Sequence, residues 1–316
     1  MADQHGPDPV GSQHGPDPVG SQHSPDPVGS QRPSVVAMGG GHGLAQTLAA
    51  ARRYAGRITA VVSVADDGGS SGRLRAALPI PAPGDLRRCL VALSKEGSVW
   101  ARAFQYRFQS GELEGHALGN LVITGLAAVS GDFLAAVGEV SALLGTEGTV
   151  LPATVEPVKL AGHGAGGPVE GQAAMTKASS IASVHLLPSA PEPPQAALEA
   201  LAAADQIVLG PGSLYTSVLA VLAVPKLREA VASSKATVVY VANLRPQMPE
   251  TAGYDVARHV EALQRHGVQP SVVLCDTTQI KLGSLQVRHL DTTLASSRGA
   301  VHDVAQLAEA LQYLVG

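Results

Sequence analysis

The sequence predicts an α/β fold built on a doubly wound, mainly parallel sheet. Short aliphatic and β-branched runs alternate with segments of helical periodicity, glycine-rich turns follow several of these runs, and the alternation resumes after a break in the middle of the chain. Parallel strands buried on both faces have continuous apolar runs of this kind. With 45% hydrophobic but only 3% aromatic residues in 316, the predicted core is made of Ala, Val, Leu and Ile.

The N-terminal segment is repetitive. A nine-residue unit beginning at Gln4 recurs from Gln13 and from Gln22, and each unit has one Val as its only aliphatic residue. Such units bury too little apolar surface to offset the entropy lost on ordering. The sequence therefore predicts a disordered low-complexity tail over residues 1–33 and one α/β domain over residues 34–316.

The domain opens with a predicted βαβ unit, which consists of a strand at 34–38, a glycine turn at 39–43, a helix at 44–54 and a strand at 58–64. Helices are then predicted at 84–94, 99–108, 116–130 and 133–144. Residues 150–187 have the pattern of short alternating strands with glycine-rich turns, which predicts an excursion from the main sheet. The later strands are predicted at 206–209, 237–242 and 272–275, with helices at 214–221, 226–233, 256–266 and 304–314.

Composition excludes several classes of protein. The net charge is −4 and the basic residues form no long run, so nucleic acid is not an expected partner. No apolar stretch is long and uninterrupted enough for a membrane span, and no signal peptide is visible. Cys89 and Cys275 fall in a predicted helix and a predicted strand, which indicates free buried thiols and a reducing compartment. A cytoplasmic location is expected.

The first candidate site is the turn that joins the first strand to the first helix. Gly40, Gly41 and Gly43 would let a phosphate approach the N–H groups at the helix N-terminus. The dinucleotide-binding fingerprint is incomplete, because Leu44 stands where its third glycine is required. A tight structural turn without a ligand is the alternative. His42 is interpreted either as a turn residue or as a catalytic base.

Asp66 and Asp67 follow the second predicted strand, and three interpretations remain open for them. They can bond ribose hydroxyls, bind a divalent cation such as Mg²⁺, or cap a helix that begins near Ser70 or Ser71. Arg73 is a candidate anion ligand or a solvated side chain.

Further polar residues stand at predicted helix starts and strand ends. The segment 210–217 repeats the strand, glycine turn and helix pattern, with hydroxyl groups in the first helical turn, and is a second candidate anion cradle. The candidate ligand-binding residues beyond the first turn and the acidic pair are Ser70, Ser71, Arg73, Asp85, Arg87, His116, Asn120, Gly210, Gly212, Ser213, Tyr215, Thr216 and Asn243. Two cradles with nearby acids and amides suit a ligand that has phosphates and a sugar.

Six separated segments of the chain together resemble the bacterial gluconeogenesis factor (YvcK-like) family, a sister of the 2-phospho-L-lactate transferase (CofD-like) family of coenzyme F420 synthesis. The segments are 39–44, 64–75, 83–87, 104–108, 115–121 and 210–217. The resemblance implies a Rossmann-like fold and a cytoplasmic protein required for cell shape and peptidoglycan synthesis during gluconeogenic growth. It also implies binding of UDP-N-acetylglucosamine, which some members bind.

The chain departs from the family pattern at several positions. His42 stands where the family turn usually has Thr, and the stretch 243–251 contains Arg245, Pro246 and Pro249. The segment 276–297 is shorter than in many relatives. Ligand recognition is therefore open to change at these positions.

The first hypothesis is a UDP-sugar-binding regulator that acts on a cell-wall synthesis protein, since no recognised motif supplies an activated nucleophile. The alternative is a CofD-like phosphoryl-group transferase that uses Mg²⁺ held by Asp66 and Asp67. An NAD-type oxidoreductase is disfavoured by the incomplete fingerprint. Four hydroxyl residues, Thr292, Thr293, Ser296 and Ser297, form a candidate target for a Ser/Thr kinase. The sequence is compatible with a homo-oligomer and does not determine the oligomeric state.

Overall fold

Parallel strands connected by helices form the main body of the computed structural model, which describes residues 32–297, 299 and 301–315. The repeat units lie outside these residues, so the tail remains a prediction. The seven-stranded sheet has the order β10-β9-β8-β7-β1-β2-β3, and every pairing in it is parallel. Its strands are β1 (Ser34–Gly39), β2 (Arg57–Val62), β3 (Thr149–Pro152), β7 (Gln206–Leu209), β8 (Thr237–Val241), β9 (Val272–Cys275) and β10 (His289–Asp291).

A smaller sheet lies in the middle of the chain. It has the order β5-β4-β6 with antiparallel pairing, and its strands are β4 (Lys159–Gly164), β5 (Gly167–Glu170) and β6 (Ser183–Leu187). The predicted excursion from the main sheet is confirmed here. β3 does not belong to it, because Thr149 pairs in parallel with Thr59 and extends the main sheet beyond β2.

Helices connect the strands of the main sheet. Before β3 they are α1 (Gly41–Ala51), α2 (Gly69–Ala77), α3 (Pro83–Leu93), α4 (Val99–Gln105), α5 (Leu118–Ser130) and α6 (Phe133–Leu144). After β3 they are α7 (Gln172–Met175), α8 (Gln195–Ala202), α9 (Leu219–Leu222), α10 (Pro225–Ser233), α11 (Val256–Arg265) and α12 (Val304–Val315), with a π-helical segment Leu214–Val218 leading into α9. None of the helices among the described residues is long and apolar enough to cross a membrane.

The core is aliphatic, as predicted. The central strands β1 and β7 contribute side chains such as Val35, Met38 and Ile207, each no more than 1% exposed. Such a core derives its stability from the burial of many small side chains, at about 25 cal/mol per Å² of apolar surface.

Several predicted boundaries are wrong. α4 ends at Gln105 and α5 begins at Leu118, because the backbone of Arg107 pairs with Ala117 across the intervening loop. α1 begins at Gly41, inside the predicted turn, where a carboxylate accepts its first free N–H. α8 and β10 were not predicted.

Candidate functional site

The order of the strands reverses between β1 and β7, and two glycine turns meet there. In doubly wound sheets the ligand crevice lies outside the carboxyl ends of the strands at such a point. Thr47 of α1 donates to Gly210 O across the junction, at 2.7 Å. A Cβ on Gly43 would overlap the backbone of Pro211, so only glycine permits this close approach of the two turns.

The first turn is held by Asp85. Its Oδ2 accepts the Gly41 N–H at 2.7 Å, and Arg88 forms an ion pair with its Oδ1. Burial raises the pKa of Asp85, while Arg88 opposes that rise. A Cβ on Gly40 would collide with the same carboxylate. Asp85 therefore anchors the turn, and this placement differs from the ligand contact predicted for it.

His42 stands at the exposed side of this turn. Partial desolvation of its ring, followed by the charge of Arg88, lowers its pKa. The imidazole is therefore mainly uncharged near neutral pH and is available for hydrogen bonding rather than for charge neutralisation.

The second predicted cradle is already occupied by a carboxylate of the protein. The buried Glu250 accepts from Ser213 Oγ at 2.6 Å and from the Tyr215 N–H at 2.8 Å. Thr216 donates its N–H to Ser213 Oγ at 3.2 Å. The donors at Ser213, Tyr215 and Thr216, which belong to the predicted second anion cradle, therefore bond to other groups of the protein. Sequence reasoning missed Glu250, although it lies in the noted stretch 243–251.

Asn243 fixes the same turn from the end of β8. Its Oδ1 accepts the Gly212 N–H at 3.1 Å and its Nδ2 donates to Gly212 O at 2.9 Å. Gly212 has a φ of +150°, a conformation that other residues rarely adopt. Asn243 therefore fixes the backbone conformation of Gly212.

A cavity of about 650 Å³, here called the central cavity, opens between these two turns. Its lining includes His42, Gly43, Gly212, Ser213, Asn243, Arg245, Gln247, Glu250 and His302. Gln247 Oε1 is buried and has no hydrogen-bond partner within the described residues. Burial lowers the pKa of His302 to about 4, so its ring is neutral at physiological pH.

A second cluster of predicted residues surrounds the start of α2. Asn120 Nδ2 donates to Ser70 Oγ at 3.0 Å, and Ser70 Oγ lies 3.1 Å from His116 Nδ1. Burial together with Arg73 and Arg107 lowers the pKa of His116, which favours a neutral ring. The structure thus forms a Ser–His contact that no sequence motif indicated, because the partners are 46 residues apart.

A smaller cavity of about 180 Å³, here called the α2 pocket, adjoins this cluster. Its lining includes Asp66, Ser70, Ser71, Arg87, Arg88, Arg107 and Asn120. A cleft of about 440 Å³ is lined by His42 and by the same three arginines. The cleft thus shares His42 with the central cavity and the three arginines with the α2 pocket.

The two acidic residues after β2 have different environments. Asp66 Oδ1 accepts the Gly68 N–H at 2.9 Å, just before α2. Asp67 accepts from the N–H groups of Gln172 and Ala173 at 3.0 and 2.8 Å, and so caps α7. The capping interpretation therefore holds for Asp67, but for a distant helix rather than for α2.

The predicted metal pair is separated by these contacts. Across the residues that the structure describes, no group of three or more His, Cys, Asp or Glu side chains is arranged to hold a metal ion. Arg73 donates to Glu114 O at 2.5 Å and so fastens the loop before α5, which is the structural alternative to an anion contact.

The fold is a doubly wound α/β sheet with a cavity at the point where the strand order reverses. The family model described as 2-phospho-L-lactate transferase CofD matches residues 35–313. The chain belongs to this family.

Proteins similar in sequence to this chain include gluconeogenesis factors. The chain is 45% identical over 238 residues to a "Gluconeogenesis factor" of Halalkalibacterium halodurans, covering 74% of each chain. It is 41% identical over 268 residues to a "Putative gluconeogenesis factor" of Aquifex aeolicus, covering 82% of each. A crystal structure of a UPF0052 family member from Bacillus halodurans superimposes with a TM-score of 0.85 at 37% identity, over 90% of this chain and 99% of that one. These relatives support the same family name for this chain, and they extend over most of its length.

Proposed function

We propose that this chain is a regulator that binds a UDP-sugar, with UDP-N-acetylglucosamine as the expected ligand, in the central cavity. The observation that carries the proposal is the cavity of about 650 Å³ at the point where strand order reverses. Small-molecule sites have volumes of about 300–1,000 Å³, and in this class of fold they lie at that position.

The N-terminus of α1 is the expected diphosphate site within the cavity. Gly40, its N-cap, has no side chain that could cap the helix, and Gly41 already donates to Asp85. The next amides, of His42 and Gly43, belong to the first turn, which has no intrahelical acceptor for them. Both residues line the cavity, and a helix N-terminus favours a bound anion.

Arg245 supplies positive charge on the opposite wall. Its side chain is exposed and lines the central cavity, and no ion pair of Arg245 occurs among the described residues. A guanidinium suits phosphate geometry. The unpartnered Gln247 Oε1 is an acceptor for a ligand N–H or O–H, since a buried carbonyl oxygen without a partner is unfavourable.

The regulatory role rests on the family resemblance and on the names of the relatives. A protein partner in cell-wall synthesis, action during gluconeogenic growth and a cytoplasmic location are part of this proposal. Of the proposed kinase targets, Thr293 and Ser297 are exposed, while Thr292 and Ser296 are half-buried.

Calorimetric titration of the full chain with UDP-N-acetylglucosamine tests the proposal. Binding is expected without turnover, and Arg245→Gln is expected to weaken it about tenfold through loss of a charged hydrogen bond. Arg288→Gln, at an exposed arginine outside the cavity lining, is the control and is expected to bind as the parent chain does. No binding, or equal losses in both variants, would contradict the proposal.

A phosphoryl-group transferase is the second candidate, because the matching family model carries a transferase description. Asp66 and the Asn120 Oδ1 oxygen line the α2 pocket and are hard oxygen ligands of the type Mg²⁺ prefers, whereas Asp67 caps α7. Bound there, Mg²⁺ would neutralise phosphate charge. Product formation from a nucleotide sugar or nucleoside diphosphate donor, followed by mass spectrometry with and without Mg²⁺, would favour this candidate over the regulator.

A further inference from the structure

We infer that a groove along α3 is a docking site for a protein partner, which binds there through a short acidic segment with apolar side chains. The groove, here called the α3 groove, consists of the cleft of about 440 Å³ lined by His42 and a second cavity of about 420 Å³. Val91 lines both cavities, so they adjoin. The inference rests on the proposed function only in that a regulator of this kind needs a surface for its partner.

Three helices form the α3 groove. Its apolar lining residues are Ala45 of α1, Val91 and Ala92 of α3, and Ala101 of α4. Arg52, the C-cap of α1, joins two of these helices, because its Nη1 donates to Ala92 O and Ser94 O at 3.3 Å each. From Arg88 to Ser94 the rise along α3 is about 9 Å, at about 1.5 Å per residue. This length accommodates about three residues of an extended peptide, at about 3.3 Å each.

Positive charge lines both ends of the groove. The basic lining residues are Arg87, Arg88 and Arg107 in the cleft and Arg52, Lys95 and Arg102 in the second cavity, whereas Glu96 is the acid among them. Arg52 and Arg88 each have an acidic partner, but no ion pair of Lys95, Arg102 or Arg107 occurs among the described residues. Charged groups at interfaces face groups of opposite charge, so this groove suits an acidic segment.

α4 adds exposed apolar surface beside these charges. Val99 is 68% exposed and Tyr106 is 53% exposed. The Tyr106 N–H donates to Arg102 O at 3.1 Å, so Tyr106 lies one helical turn beyond Arg102, and Val99 lies three residues before it on the same face. Tyrosine and arginine are enriched among the residues that dominate binding at protein interfaces. The partner is therefore expected to present apolar side chains together with acidic ones.

A protein segment suits the groove better than other anionic partners do. The basic side chains line two adjoining concavities, whereas the surface of a bilayer is flat. The net charge of −4 opposes a long polyanion such as nucleic acid. A few acidic and apolar residues match the length, the charge and the apolar lining of the groove.

The α3 groove reaches the edge of the proposed UDP-sugar site. His42 lines both the groove and the central cavity. Arg88 lines the groove and pairs with Asp85, which accepts the Gly41 N–H in the first glycine turn. A partner in the groove would therefore contact residues next to the turn at which we propose that the diphosphate binds.

Selection of peptides on the full chain, from a random dodecapeptide library displayed on phage, tests the inference. The selected peptides are synthesised with a fluorescent label and titrated with the chain by fluorescence anisotropy. We expect them to combine an excess of Asp and Glu with aliphatic or aromatic residues, and to bind less tightly as the salt concentration rises. Dodecaglutamate, which has the charge without the apolar side chains, is expected to bind more weakly.

Charge reversal in the second cavity provides the decisive variant. Lys95→Glu combined with Arg102→Glu is expected to weaken binding of the selected peptides about tenfold or more. Lys95 and Arg102 line neither the central cavity nor the α2 pocket, so UDP-N-acetylglucosamine binding is expected to stay unchanged. The matched control combines Lys281→Glu with Arg288→Glu, at exposed positions outside the groove lining.

Removal of the exposed aromatic side chain tests the apolar contact separately. Tyr106→Ala is expected to weaken binding of the selected peptides about tenfold. Tyr313→Ala, at a tyrosine of α12 that is 72% exposed, is its control and is expected to bind as the parent chain does. Thermal unfolding of each variant is recorded alongside.

The inference is overturned if no peptide is selected, if the selected peptides lack an acidic excess, or if dodecaglutamate binds equally tightly. Peptide binding by the Lys95 and Arg102 double variant that equals the parent's would also overturn it. A dimer of the parent chain in sedimentation velocity that this variant loses would assign the groove to a second copy instead, and a single-stranded oligonucleotide that binds tightly only to the parent would assign it to nucleic acid. Peptide binding without any UDP-sugar binding would refute the proposed function alone.

Discussion

Removal of the Glu250 carboxylate is predicted to destabilise the turn between β7 and α9. Glu250 is 2% exposed and accepts from Ser213 Oγ and from the Tyr215 N–H at 2.6 and 2.8 Å. Glu250→Ala leaves these donors without their acceptor, although the Ser213 hydroxyl can turn to Thr216 Oγ1. At about 1–3 kcal/mol for each unsatisfied buried donor, the expected loss in the free energy of unfolding is about 2–4 kcal/mol.

Glu250→Gln separates hydrogen bonding from charge. The amide oxygen can still accept from the Tyr215 N–H, and the variant no longer buries a charge, so the expected change in the free energy of unfolding at neutral pH is about 1 kcal/mol or less. Urea unfolding followed by circular dichroism measures both variants against the parent chain. An alanine variant within about 0.5 kcal/mol of the parent, a size typical of neutral surface changes, would refute this account of the turn.

The pH dependence follows from the same contact. Burial raises the pKa of Glu250 above its ordinary value of 4.5, despite the opposing hydrogen bonds from Ser213 and Tyr215. From 4.5 up to that raised pKa the folded chain holds this proton more tightly than the unfolded chain, so the stability contributed by Glu250 falls as the pH rises. Glu250→Gln lacks this dependence. The stability of the variant relative to the parent should therefore improve as the pH rises, and a constant difference across this range would contradict the assigned environment.

Two further predictions concern residues that act through packing. Asp67→Asn keeps one of the two oxygens that accept from Gln172 and Ala173, so one N–H group loses its acceptor and the free energy of unfolding is expected to fall by about 0.5–2 kcal/mol; equal stability of the variant and the parent chain would contradict the cap. The half-buried Asp303 caps α12 through Oδ1 alone, so Asp303→Asn is the comparison and is expected to change stability less. Gly43→Ala should unfold the chain or lower its free energy of unfolding by several kcal/mol, because the new Cβ would overlap Pro211. Gly138→Ala, in an exposed helical position with open space around it, should raise the free energy of unfolding by about 0.5–1 kcal/mol. Thermal unfolding distinguishes the two variants, and similar midpoints would show that the two glycine turns can move apart.

Local patterns in the sequence were enough to predict the main sheet. Five of its strands are continuous apolar runs followed by polar or glycine-rich turns, namely β1, β2, β7, β8 and β9. This pattern is local, so it can be recognised without knowledge of the strand's neighbours in the sheet. β3 was assigned to the wrong sheet, because a four-residue strand contains no local signal of its partner. β10 was missed because its three residues, His289–Asp291, form no apolar run.

The sequence by itself determined the residue types at the site: glycine turns after strands, acids after β2, and arginines and amides at helix starts. Only the tertiary structure decided which of them are available to a ligand. Asp67 and Glu250 are matched to donors 105 and 35 residues away, and Arg87 and Asn120 come together with buried atoms that have no partner among the described residues. The physical reason is that a hydrogen-bonding group is used up by whichever partner folding brings to it, and sequence spacing does not record that partner.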